Sequence, residues 1–180
     1  MSTTTIPAKK VALMGGPCTR KTTMVTAVGE QPHVRTVPEQ AREHFDSVSF
    51  AERHTLAAQK ELAERIISIE RETAENGGVL LCDRSVLDGV AYLRVAGRSA
   101  HAEELFEHVS FWLPTYDRFV LSDPAGIPFQ NDGVRVETPE FRDELHREFL
   151  AMFEELEIEY ELLQGTPAER VCRVTEMLSD

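Results

Sequence analysis

The chain has 180 residues, 42% apolar and 28% charged, with 19 basic against 31 acidic side chains and a formal net charge of −12. That length fits one domain with its own core, needing no disulfide or metal to fold, and the composition excludes a disordered chain. A surface this acidic repels nucleic acid and anionic membrane, so neither is an expected partner.

Cys18, Cys82 and Cys172 are an odd number at spacings of neither a disulfide framework nor a zinc site. Cys82 and Cys172 sit among apolar residues and read as buried thiols. Residues 1–10 lack the apolar stretch of a secretory leader, and no apolar run approaches the ~18 residues of a membrane span. The expectation is a cytoplasmic protein in a reducing setting. Oligomeric state stays open, a homodimer included.

Short apolar runs alternate with longer helical patterns, which signals an α/β fold with a parallel sheet. Val11 to Met14 is the first strand, and a helix opens near Lys21 and runs to about Gly29. Val34 to Val37 is the second strand. Leu56, Ala63, Ile66 and Ile67 then recur at helical separations within one long pattern over about 50–76, closed by Gly77-Gly78. Val79 to Cys82 is a strand apolar throughout, as a doubly covered strand should be. Helices over about 86–95 and 100–112 precede a fourth strand, Phe119 to Leu121. The segment from Ser122 to Pro139 is rich in proline and glycine and reads as a lid over about 123–138. An amphipathic helix carrying Phe141, Leu145, Phe149, Phe153 and Leu156 follows. A fifth strand covers Glu159 to Leu163, and a last helix starts at Thr166-Pro167. The whole of 1–180 reads as one domain, a three-layer α/β/α sandwich on five parallel strands with right-handed crossovers.

Gly15-Gly16-Pro17-Cys18-Thr19-Arg20-Lys21-Thr22 matches G-x-x-x-x-G-K-[ST] at all positions but one, between a strand and a helix. A ring of backbone N–H groups at the positive end of a helix dipole suits the phosphates of ATP or GTP. Lys21 would reach the outer phosphates, Thr22 would ligate Mg²⁺, and the run through Thr23 would line the nucleotide. Arg20 stands where the pattern wants glycine. Its side chain either crowds the phosphates and distorts their cradle, or swings outward and adds charge beside them.

Asp83 ends the third strand, where open α/β sheets bind their ligands, and would hold Mg²⁺ directly or through water, unless it caps the following helix. Arg84 could grip a phosphate or carboxylate of an acceptor, unless it forms a surface ion pair. Glu39, after the second strand, is either a general base or a helix cap, with Arg42 one turn on to position the acceptor or the carboxylate. Arg135 is the candidate lid arginine, with Arg142 a weaker second, because phosphoryl transfer needs water excluded and charge neutralised; the alternative is a solvated loop with ordinary surface arginines. Gly165 and the two residues after it run past the same sheet edge and offer backbone to an adenine ring, or form a plain turn. The six histidines show no ligand-like spacing and read as surface or satisfied residues, and the acids from Glu154 to Glu161 as a solvated face.

Val11 to Thr23, the VPEQAREHF of Val37 to Phe45, the LCDRSVLDGVAY of Leu81 to Tyr92 and the NDGVR of Asn131 to Arg135 together resemble the AAA-type P-loop proteins. More narrowly they resemble the group containing the ribosylnicotinamide kinase domain of NadR-like proteins. The resemblance implies strand order 2-3-1-4-5 and transfer of the terminal phosphoryl of ATP, with Mg²⁺, to a small hydroxyl-bearing acceptor. It implies nucleotide and metal roles for Lys21, Thr22 and Asp83, and acceptor roles for Glu39 and Arg84. A phosphohydrolase on the same scaffold, or a non-catalytic nucleotide-binding module, are the competing readings that Arg20 keeps open.

Overall fold

The central strands are buried on both faces, and the alternation of their apolar side chains between two cores dictates the layering. The structure, a computed structural model, describes residues 9–46, 48–130 and 137–179. β1 (Lys9–Met14), β2 (Val34–Val37), β3 (Val79–Asp83), β4 (Arg118–Ser122) and β5 (Tyr160–Leu163) form one parallel sheet in the order β2-β3-β1-β4-β5. Successive side chains of a strand point to opposite faces. Ala12, Met14, Leu80, Cys82, Phe119 and Leu121 therefore enter one core, while Val11, Leu13, Leu81 and Val120 enter the other. The second core is closed by α1 (Lys21–Gly29). After β2 come the short α2 (Ala41–His44) and α3 (Phe50–Arg53), then α4 (Leu56–Ala74). With α5 (Leu87–Val95), α6 (Ser99–Val109) and α7 (Pro139–Glu155), α4 closes the first core. α8 (Pro167–Ser179) packs beside α1 on the opposite face. The α/β/α sandwich and its strand order are those expected.

Two helices differ from the sequence reading. The pattern over 50–76 is two helices with a break at His54 and Thr55. Ser49 and Glu52 form a reciprocal capping box on α3, and the Thr55 hydroxyl accepts the N–H of Ala58 to start α4 anew. Capping side chains competed with helix continuation and won. The helix expected to reach Trp112 ends at Val109 and tightens into a 3₁₀ turn over Ser110–Thr115 that contains Pro114. Cys172, expected to be buried, is exposed on α8, because the apolar stripe of that helix runs through Val174, Met177 and Leu178 instead.

Away from the carboxyl ends of the strands, the core encloses an ion pair between Lys10 and Glu70. Lys10 Nζ donates to Glu70 Oε2 at 2.8 Å, and Glu70 also receives Trp112 Nε1 at 2.7 Å and the Tyr116 hydroxyl at 2.8 Å. The ammonium lies over both aromatic rings, 4.2 and 4.3 Å from their centroids. Full satisfaction is what makes buried charge tolerable here.

At the other end of β1 the chain turns sharply into α1. Gly15 has φ 140°, and a Cβ there would stand 3.0 Å from the Ser122 carbonyl oxygen. Cys18 and Arg20 hold left-handed backbone at φ 58° and 66°, and Arg20 is the N-cap of α1 with its side chain exposed. The pattern's glycine is therefore a backbone requirement: the cap must be left-handed, which a side chain strains. Arg20 meets it by accepting the strain and pointing outward. Arg20→Gly should stabilise the fold by roughly 1 kcal/mol, the relieved strain exceeding the added unfolded-state entropy. Urea unfolding checks this; an unchanged or lowered midpoint would show that residue 20 is not strained.

Candidate functional site

The carboxyl ends of β1 and β3 lie side by side, Leu13 in register with Asp83, at the centre of the sheet where connections leave in both directions. Residues 15–22 leave β1 there, and Arg84 follows β3 with φ 89°, its N–H on the Leu13 carbonyl at 3.0 Å. Cys18, Arg20 and Arg84 account for three of the four non-glycine residues with positive φ among those described, and all three line one cleft. Left-handed non-glycine residues concentrate at functional surfaces, which makes this cleft the candidate site.

That cleft, about 230 Å³, is lined by Cys18 to Thr23 together with Glu39, Arg42, Arg84, Pro128 and Gln130. Lys21 lies back along the loop, its ammonium 2.8 Å from the Gly16 carbonyl and 3.3 Å from Thr19 Oγ1. Burial, then the neighbouring Arg84 charge, lower its pKa to about 8. The Thr22 hydroxyl donates to Asp83 Oδ2 at 2.8 Å. Asp83 is 4% exposed and its Oδ1 has no partner among the described residues. Burial raises its pKa, against the pull of Lys21 and Arg84.

Arg84 is buried, not the surface ion pair that was the alternative. Its Nε and Nη2 reach Glu39 Oε1 at 2.9 and 2.8 Å, and its Nη1 reaches Asp88 Oδ1 at 3.2 Å and the Tyr92 hydroxyl at 3.3 Å. Burial works to lower the Arg84 pKa, but Glu39, Tyr92 and the two aspartates hold it well above the ordinary value. Asp88 Oδ2 receives the Ser85 N–H at 2.8 Å, so the start of α5 is organised by Asp88 and not by Asp83. Burial pushes the Tyr92 hydroxyl up to about 12.

Behind Arg84 opens a second, more enclosed cavity of about 120 Å³, which shares Glu39, Arg42 and Arg84 with the first. Tyr92 and His54 form part of its wall, their rings stacked at 6.0 Å, with Phe45 and Leu62. His54, expected to be superficial or satisfied, is 4% exposed. Its Nδ1 faces the Phe50 carbonyl at 2.6 Å, which assigns the proton to Nδ1 and leaves Nε2 an acceptor without a partner among the described residues. Burial lowers its pKa, so the ring is held neutral. Gln59 Nε2 donates to the Arg53 carbonyl at 2.6 Å, leaving its Oε1 equally unsatisfied. His101 and His146 each also carry a buried Nδ1 without a partner among the described residues.

The structure thus gathers Cys18 to Thr23, Glu39, Arg42, Asp83 and Arg84. Gly15, Gly16 and Pro17 are buried at the root of the loop. Gly165 is not on either cavity; its carbonyl accepts Arg170 Nε at 2.9 Å. Arg142 packs behind the loop, where its Cγ would stand 2.9 Å from a Cβ on Gly16, and donates to the Ile127 carbonyl at 2.9 Å. Arg135 and the rest of 131–136 lie outside the described residues. Sequence reasoning missed His54, Gln59, Asp88 and Tyr92. Only Asp88 carried a readable signal, one helical turn beyond Arg84.

Solved structures share this arrangement of the chain. A NadR protein in complex with NR is similar with TM-score 0.78 and 17% identity over 96% of this chain and 50% of that one. Deoxyadenosine kinase from M. mycoides with bound dCTP gives TM-score 0.60 and 10% identity over 94% of this chain and 98% of that one. Thymidylate kinase from Candida albicans gives 0.62 and 13% over 96% and 92%. The chain spans about half the length of the NadR protein it matches. No curated protein matches the sequence. The family model described as AAA domain matches residues 10–170, nearly the whole chain, and the protein belongs to that P-loop family, with the fold of NadR and of the nucleoside and nucleotide kinases.

Proposed function

We propose that the protein transfers the terminal phosphoryl group of ATP or GTP to a hydroxyl of a small, nucleoside-like acceptor. One observation carries this reading: two cavities, one walled by the strand-to-helix loop and one by aromatic side chains, meet at a shared wall of Glu39, Arg42 and Arg84. A hydrolase needs only the first. A dedicated acceptor chamber behind it favours transfer, since holding both reactants in line supplies much of the acceleration.

In this reading the loop amides and Lys21 hold the outer phosphates, and Arg20 adds charge at the rim of the cleft. Thr22 and Asp83 would hold Mg²⁺, whose charge would offset that of the moving phosphoryl group. The orphaned, buried Oδ1 of Asp83 fits a cation, and magnesium often takes few protein ligands beside phosphate oxygens. Glu39 would take the proton of the attacking hydroxyl, with Arg84 holding the carboxylate in place. NadR and the two kinases support the reading by fold alone.

His54 Nε2 and Gln59 Oε1 both call for donors, so the part of the acceptor seated there would present N–H or O–H groups.

Lys21→Ala should abolish the thermal shift that ATP or GTP with Mg²⁺ gives the wild-type protein, because binding to the folded state alone raises stability. A wild-type protein unshifted by either nucleotide would overturn the proposal. The lowered Lys21 pKa sets a pH dependence. The free protein loses the ammonium charge as pH rises through about 8, so nucleotide affinity should fall above that pH. Because the unfolded lysine stays protonated up to 10.5, the stability of the nucleotide-free fold should instead rise between about 8 and 10.5. Calorimetry and urea unfolding at pH 7 to 9.5 test both signs. For any acceptor found by nucleotide consumption, His54→Phe should raise its KM about tenfold and leave the nucleotide KM unchanged. An unchanged acceptor KM would remove His54 from recognition.

A further inference from the structure

Beneath the strand-to-helix loop lies a polar strap that the proposed transfer does not use. Ser122, the last residue of β4, is fully buried, and its hydroxyl donates to the Thr19 carbonyl at 3.0 Å. The same oxygen receives Arg170 Nη1, from α8, at 2.9 Å. Arg170 also donates from Nη1 to the Asp123 carbonyl and from Nε to the Gly165 carbonyl, both at 2.9 Å. It is 1% exposed, and its Nη2 has no partner among the described residues.

A buried guanidinium is costly without a paired carboxylate. The nearest candidate, Asp123, spends its oxygens on Gln164 Nε2 and the Ala125 N–H, each within 2.8 Å. The packing of α8 does not call for arginine either. Position 170 falls on the helical stripe of Val174, Met177 and Leu178, where an apolar residue would bury at lower cost. What the guanidinium does hold is a set of acceptors converging under residues 15–19. Contact there is tight enough that a Cβ on Gly15 would stand 3.3 Å from Ser122 Cβ.

The hydrogen-bond logic is directional. Arg170 has no acceptor, so it occupies a lone pair of Ser122 Oγ and leaves the hydroxyl proton for Thr19. A trans peptide is planar, with its C=O and the next N–H pointing opposite ways. A Thr19 carbonyl drawn down onto Ser122 therefore turns the Arg20 N–H up, away from the strap and toward the cleft that Arg20 lines. We infer that Arg170 and Ser122 are positioning residues for the anion-binding loop, acting through the Thr19–Arg20 peptide. The functional weight of this strap rests on the phosphate reading above; the strap itself is tested without nucleotide.

Amide hydrogen exchange on the ligand-free protein reads the loop directly. Ser122→Ala removes one oxygen, and Arg170→Lys keeps the charge without the planar fork, so both should fold. Each should speed exchange of the amides within 15–20 about tenfold while β1 and β3 stay protected, the loss of one hydrogen bond's worth of restraint. The double variant should exchange no faster than Ser122→Ala alone, because both act through one hydroxyl. Loop exchange that is unchanged, or that rises equally in the strands, would overturn the inference; the second result would make the pair merely structural. Affinity for ATP with Mg²⁺ should fall about tenfold in both single variants. If the wild-type protein binds no nucleotide, the phosphate reading falls while the exchange result still decides the strap.

Discussion

The turn between β1 and α1 is the constraint on which the rest of the molecule is built. Within a few residues the chain must leave a buried strand, turn sharply, and enter a helix whose first turn lines one cleft. That path demands left-handed backbone at Cys18 and Arg20 and a glycine pressed against Ser122 at position 15. A local segment could not hold such a path by itself. The neighbouring strands do so, with β3 contributing Asp83 to the Thr22 hydroxyl and β4 contributing Ser122 to the Thr19 carbonyl. The β3 end is itself tied to β1 by the Arg84 N–H on Leu13. Central placement of β1 in the sheet is what puts both neighbours within reach.

Around that turn the protein buries an unusual density of charge. Lys21, Asp83, Arg84 and Asp88 are each under 8% exposed and lie within one electrostatic neighbourhood. Two causes oppose one another in these groups: burial disfavours the charged form of Lys21, Asp83 and Asp88, and attraction between opposite charges offsets it only in part. The Lys10–Glu70 pair, distant from these groups, is satisfied by every neighbour it meets. In the site, by contrast, Asp83 Oδ1, His54 Nε2 and Gln59 Oε1 stay without partners among the described residues. His101 Nδ1, His146 Nδ1 and Arg170 Nη2 are unpaired elsewhere among the described residues, so it is the position of the first three, on or beside two cavities, that makes them candidates for ligand contact.

Much of the fold was legible because it rests on periodicity. The apolar runs at 11–14, 79–82 and 119–121 are local patterns that each appear as a strand, and the helical stripes between them appear as helices with altered bounds. The gathering of the candidate residues in one place was legible where a topological rule applied, as for Asp83 and Arg84 at a strand end, or where a short motif fixed their position, as for Lys21 and Thr22. The misses have physical causes. Thr55 stopped a helix whose apolar spacing would have continued, and that break is what carries His54 inward. Cys172 looked buried because its neighbours were apolar, yet the helical stripe passed it by. Gly165 was assigned by adjacency to the sheet edge, where Arg170 already occupies its carbonyl.

By itself the sequence determined the layers, the strand order through a family resemblance, and the loop with its lysine and threonine, since these follow from patterns within a few residues of one another. Tertiary structure alone decided that the Arg20 side chain points outward, that Arg84 joins two cavities by holding Glu39 and Asp88, and that Arg170 reaches from the last helix to the underside of the first loop. Each of those depends on where side chains from distant segments meet, 45 residues apart for Arg84 and Glu39 and 48 for Arg170 and Ser122, and no local pattern encodes such a meeting.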